Sequence, residues 1–163
     1  MRIYALIVAI FLSGAAQASE SKVVGFAGYE FGMTLDRANS VRSNDKVTDC
    51  TYVNVFKCIE YETNIYGEAA KVIAQVGKAS KKIDKVVVNF NYLSAAAKSK
   101  ACLSTHKKIS ARVFEKYGKN FQSPVQGVYD WYLPDGGRVT YSGMCVTDDQ
   151  GIVIVSYTQS EGL

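Results

Sequence analysis

Four cysteines, Cys50, Cys58, Cys102 and Cys145, constrain this chain more than any other feature. Their number is even, none belongs to a C-x-x-C pair, and the single histidine, His106, is not close in sequence to a cysteine pair. Zinc and redox sites usually show such spacing, so the pattern points to two structural disulfides in an oxidising compartment. Three pairings are formally open. Cys50 and Cys58 flank a short segment while Cys102 and Cys145 lie far apart, and we expect Cys50–Cys58 as a local clasp with Cys102–Cys145 as a long-range staple. In the entropy model the longer loop, about 40 residues, restricts the unfolded chain by about 4 kcal/mol and the local closure by less.

The N-terminus agrees with that compartment. Met1 and Arg2 make a short positive region, Ile3 to Leu12 is unbroken and apolar, and Ala16-Gln17-Ala18 has the small-residue pattern read by a signal peptidase. The apolar run is too short to cross a hydrocarbon core of about 30 Å. Residues 1–18 are therefore expected to be a signal peptide cleaved after Ala18, and residues 19–163 one α+β domain, periplasmic or secreted. No cysteine follows the run to take a lipid. The 163 residues, 48% apolar and 21% charged, are ordinary for a globular chain and exclude collagen and low-complexity disorder. Cleavage leaves about 145 residues, enough to bury roughly two-thirds of the unfolded surface. The formal charge of +4 falls only by that of Arg2. So small a balance, with no accompanying motif, argues against nucleic acid as a partner.

The segment from Phe31 to Ala38 reads as a helix start. Thr34 is a good N-cap, Asp36 puts negative charge in the first turn, and Met33 can pack on Ala38. A short helix over residues 35–41 follows, ended by Ser43-Asn44-Asp45. Strands are expected over 52–61, 69–76 and 83–93, with residues 78–82 as a hairpin connection. In the third of these Val86, Val88, Phe90 and Tyr92 share one face, and Asn89 and Asn91 the other. Residues 94–117 carry the strongest helix signal, with Ser94 as cap, Cys102, His106, Ile109, Val113 and Tyr117 on one stripe, and Gly118 as stop. Three more strands, 127–133, 138–147 and 152–158, are separated by the turn sequences 134–137 and 148–151. The expected architecture is α+β: an antiparallel sheet with one long and one short helix packed on one face. The halves 23–93 and 94–163 can also be read as two tandem helix-plus-three-strand units, although no residue-level repeat joins them.

No catalytic constellation emerges. There is no G-x-S-x-G, no H-E-x-x-H, no phosphate loop and no paired-histidine spacing, so neither a metal nor a cofactor is expected. His106, on the apolar stripe, reads as a partly buried, hydrogen-bonded side chain rather than a base. Acidic pairs such as Asp148-Asp149 read as solvated turns. Binding surfaces are better candidates. Tyr129, Trp131, Tyr132, Tyr141 and Tyr157 lie on the last three strands, and such residues make strong anchors. Alternation sends Tyr129 and Trp131 to one face and Tyr132 to the other, one set being core. Lys98, Lys100, Lys107, Lys108, Arg112 and Lys116 face only Glu115 on the long helix. That excess suits an anionic membrane surface or an acidic protein, or simply a solvated face. Of the candidates on this helix, Lys107, Lys108 and Arg112 are central.

The string Phe31-Gly32-Met33-Thr34-Leu35, with Ala38, resembles the F-G-M-T opening of domains in the β-lactamase inhibitor protein family, and the related G-M-T signature of small outer-membrane assembly lipoproteins. The resemblance covers about residues 26–62. It implies a helical segment packed on an antiparallel sheet, a disulfide close behind it at a place compatible with Cys50 and Cys58, and a non-catalytic module whose sheet serves as a binding surface. The chain departs from that pattern in having no lipidated cysteine, no second G-M-T, and a long helix where the inhibitor restarts a short one. None of the family's partner-contacting residues falls on a matching motif. Together these readings lead us to expect a secreted or periplasmic non-catalytic binding protein, an inhibitor or immunity-like partner of another exported protein. The alternatives are an envelope maintenance or assembly factor that binds anionic lipid or an outer-membrane complex, and third a small secreted enzyme.

Overall fold

A computed structural model describes residues 25–26, 28–41, 46–50, 55–90, 102–134, 136–148 and 150–159. The expected signal peptide, the Ser94 cap, Lys98 and Lys100 lie outside these residues. The chain first forms a small ribbon from β1 (Gly25–Phe26) and β2 (Tyr29–Glu30), then α1 (Leu35–Val41). Thr34 lies just ahead of α1 and its hydroxyl accepts from the Arg37 amide at 3.4 Å, a long cap. Four strands follow: β3 (Lys46–Thr48), β4 (Val55–Ile65), β5 (Glu68–Gly77) and β6 (Ile83–Asn89). After α2 (Cys102–Tyr117) come β7 (Val128–Tyr132), β8 (Arg138–Cys145) and β9 (Gly151–Thr158).

β3 to β9 make one antiparallel sheet of seven strands in the order β3-β4-β5-β6-β9-β8-β7. Two meanders, each running from an edge of the sheet to its centre, therefore meet where β6 pairs with β9. The mostly strand fold with two helices is α+β. β4 extends four residues past its expected end because the connection to β5 is a two-residue turn at Tyr66 and Gly67, both at positive φ. Such a turn matches the right-handed twist of the strands but usually starts with Asn or Asp, which is why Tyr66 gave no signal. β3 was also unexpected; at three residues it is too short to show a period.

Alternation across the ladders builds a continuous apolar surface. Ile59, Ala74, Val86, Tyr157, Val139 and Trp131 stand in one row from β4 to β7. Tyr61, Val72, Val88, Val155, Tyr141 and Tyr129 form the next row on the same side. The first row is buried throughout, and so is the second except at Tyr129, which is half-buried. α2 lies over β8 and β9 and adds Cys102, Ile109 and Val113 to this cluster, which Ala38 of α1 also joins. Tyr29, just ahead of α1, meets Tyr61 with ring centroids 6.0 Å apart. On the opposite face stand Tyr132, Arg138, Thr158 and Lys85 in one row, and Asp130, Thr140, Ser156 and Val87 in the next.

Both disulfides join the expected partners. Cys50 and Cys58 clasp the approach to β4, with Cα atoms 5.6 Å apart, and Cys102 at the start of α2 is bonded to Cys145 at the end of β8, with Cα atoms 5.8 Å apart. The Cys102 amide also donates to the Asp148 carbonyl at 2.8 Å. The far end of α2 is stopped by Gly118 at positive φ, whose amide bonds the Phe114 carbonyl at 2.9 Å. The Gly118 carbonyl in turn accepts from Trp131 Nε1 at 3.1 Å, so the helix is fixed to the sheet at both ends.

Candidate functional site

The aromatic residues of the last three strands do not form one surface. Trp131, Tyr141 and Tyr157 are buried between the sheet and α2, and this corrects any shared binding role for them. The cause is register: they fall in the covered rows, where Phe114 of α2 packs edge-on against Tyr129 and Trp131 at 5.1 and 5.3 Å. Phe121 closes the same group from the segment after the helix. Tyr157 stacks on Phe26 at 4.9 Å. Tyr132 alone among the candidates is on the opposite face, and it is 59% exposed. Burial raises the phenols of Tyr141 and Tyr157 above the ordinary tyrosine range, so both remain protonated at any physiological pH.

The cationic candidates are exposed on α2, yet two are engaged. Lys108 Nζ pairs with Glu68 Oε1 at 2.7 Å and Arg112 Nη1 with Glu115 Oε2 at 2.9 Å. The Lys108 ammonium, hydrogen-bonded to Glu68, is the main reason that its carboxyl titrates below the ordinary range. Partial burial opposes this, and the Thr105 hydroxyl, donating at 3.0 Å, assists it. Arg112 also lies 5.9 Å from the Tyr66 ring. Pairing on this face thus offsets part of the positive excess counted along the sequence. Lys107 is exposed on the same helix.

His106 is half-buried one turn into α2, and its Nδ1 lies 2.5 Å from the Tyr141 hydroxyl. That hydroxyl donates to the His106 carbonyl at 3.3 Å, which leaves it free to accept from a proton on Nδ1. The same residue lines a cavity of about 410 Å³ between α2 and the β7–β8 hairpin. Tyr129 and Gln126 line it from the β7 side, Met144 and Cys145 from β8, and Leu103 from the first turn of α2. Two glycines give it its depth. A Cβ at Gly143 would collide with the Tyr141 hydroxyl, and one at Gly127, which is at positive φ, would press on the Gly143 carbonyl. Leu103 and Met144 are 50% and 57% exposed. Met144 stands opposite Ile152, which is also exposed, and Val146 follows two residues on. An apolar rim therefore continues from the cavity onto the open face of the sheet.

Sequence reasoning missed this cavity. Met144 and Ile152 were out of phase with the core residues of β8 and β9, a signal that was present, but the approach of Gly127 to Gly143 depends on register and could not be read. Among the described residues no group of histidine, cysteine and acidic side chains is placed to hold a metal, and no helix is long and apolar enough to cross a membrane. The two disulfides fit an oxidising compartment. No family model, no curated protein and no solved structure matches the chain.

Proposed function

We propose that the protein is an exported, non-catalytic binding protein whose partner is another protein of the envelope or the cell exterior, in the manner of an inhibitor or immunity factor. The observation that carries this reading is the exposed apolar group of Met144, Val146 and Ile152 on the open face of the sheet beside the cavity, whose α2 side carries the exposed Leu103. Exposed apolar patches beside a shaped pocket mark protein interaction sites more often than catalytic ones. The rim lies at the end of the β8–β9 hairpin beside the Cys102–Cys145 staple, which limits the ordering cost of association. Cleavage of residues 1–18 and release into the periplasm or medium belong to the same proposal.

The likeness to the inhibitor family is part of this reading, as is the arrangement of both helices on one face. So is the division into two tandem units, supported by the succession α1–β3–β4–β5–β6 followed by α2–β7–β8–β9, with the last strands of each paired. Affinity capture with the disulfide-bonded protein from an envelope fraction tests the function. Retention of a protein that is lost with Met144→Glu and Ile152→Glu supports it; retention of none, with co-sedimentation on anionic vesicles that is abolished when Lys107, Lys108 and Arg112 are reversed to Glu, replaces it with the lipid-binding alternative. An activity lost in His106→Ala would favour the enzyme.

A further inference from the structure

We propose that the cavity between α2 and the β7–β8 hairpin is the receptor for one uncharged aromatic side chain of the partner, a tyrosine first of all. The inference rests on the protein-binding reading above and names the group that would enter the site.

Four observations select that chemistry. The cavity, about 410 Å³, is of a size that takes a phenol ring with its linking carbons. Its walls include two π-systems, Tyr129 and His106, against which an aromatic ring packs well. Among the described residues no lysine, arginine, aspartate or glutamate lines it, so a charged side chain would lose its hydration with nothing to replace it. Polar capacity is nevertheless present. The Nε2 of His106 can accept and the Gln126 amide can donate or accept, so an aliphatic side chain would leave them unpaired while a phenol would engage both. Gly127 and Gly143 lie in its lining at positions where a Cβ would collide with the Gly143 carbonyl and the Tyr141 hydroxyl, and the exposed Leu103 continues the contact outside the cavity.

The test uses the purified, disulfide-bonded protein and p-cresol as the probe, with its saturated counterpart 4-methylcyclohexanol for comparison. His106 is the only histidine, so its imidazole resonances report on the cavity without ambiguity, and the Leu103 methyls give a second reporter. The expected result is a saturable shift of both with p-cresol, with a Kd of about 1 mM for so small a ligand. Binding of the saturated analogue should be about tenfold weaker. Leu103→Glu, at an exposed position, should abolish the response with unchanged circular dichroism, whereas Val47→Glu on the remote β3 should not. No saturable shift, or equal response to the saturated analogue, overturns the proposal. When a partner is captured, p-cresol should compete with it. Capture insensitive to p-cresol and to Leu103→Glu overturns the aromatic receptor and leaves the binding function standing; aromatic-selective probe binding with no partner retained overturns the protein-binding reading instead.

Discussion

Tyr117 and Tyr141 illustrate how differently two buried phenols contribute. Tyr141 is fully buried, and its hydroxyl meets both Nδ1 and the carbonyl of His106, the latter at 3.3 Å. Tyr141→Phe should therefore cost about 1–2 kcal/mol in denaturant unfolding, since it also leaves a histidine nitrogen unpaired. The Tyr117 hydroxyl lies beside that of Tyr157 but makes no hydrogen bond of good geometry among the described residues. Tyr117→Phe is expected to be neutral or to stabilise by up to about 1 kcal/mol, measured the same way. Glu68 supplies a pH dependence. Its folded carboxyl titrates below the unfolded one because of Lys108, so its contribution is complete above the ordinary glutamate range and is lost as pH falls through the folded value. Glu68→Gln should flatten that acid limb of the stability profile. Lys108 is half-exposed, so the effect should stay below about 1 kcal/mol.

The elements differ in what fixes them. α2 is held at one end by the Cys102–Cys145 bond and at the other by Trp131, whose indole bonds Gly118. The bond closes a sequence separation of 43 residues and the Cys50–Cys58 clasp one of 8. Loss of the first by paired Cys→Ala substitution should lower stability by about 4 kcal/mol and loss of the second by about 2.5 kcal/mol, read as shifts in denaturant midpoint. Trp131 is the only tryptophan, so its fluorescence follows the packing of α2 on the sheet directly. The helices and six of the sheet strands were legible because their apolar residues recur at periods fixed by backbone geometry, as with Val86 and Val88 or Ile109 and Val113. The Cys102 position on the buried stripe made its partner readable as well. Thr105, buried and bonded to Glu68, was not: its place follows from where β5 begins, which the Tyr66-Gly67 turn determines.

At the scale of the whole molecule, the sequence left open which face of the sheet is covered, because Tyr129 and Tyr132 are equally suited to either side. Only the register joining β6 to β9 and β9 to β8 decides it, through the rows that gather Tyr61, Tyr141 and their neighbours. The candidate cavity was illegible for the same reason, being assembled from a helix, a loop and a hairpin. The central seam also imposes an order on biogenesis. β6, with Val86, Val87 and Val88, is made and delivered well before β9, its partner from Lys85↔Thr158 to Asn89↔Ile154. Until the last strand arrives, the first meander has an open apolar edge of the kind that recruits other chains. A chain cut short before β9 should therefore accumulate as aggregates rather than as a smaller soluble domain, detectable by fractionating the product of a stop codon at Gln150. β9 is thus the element that ends the vulnerable period of synthesis.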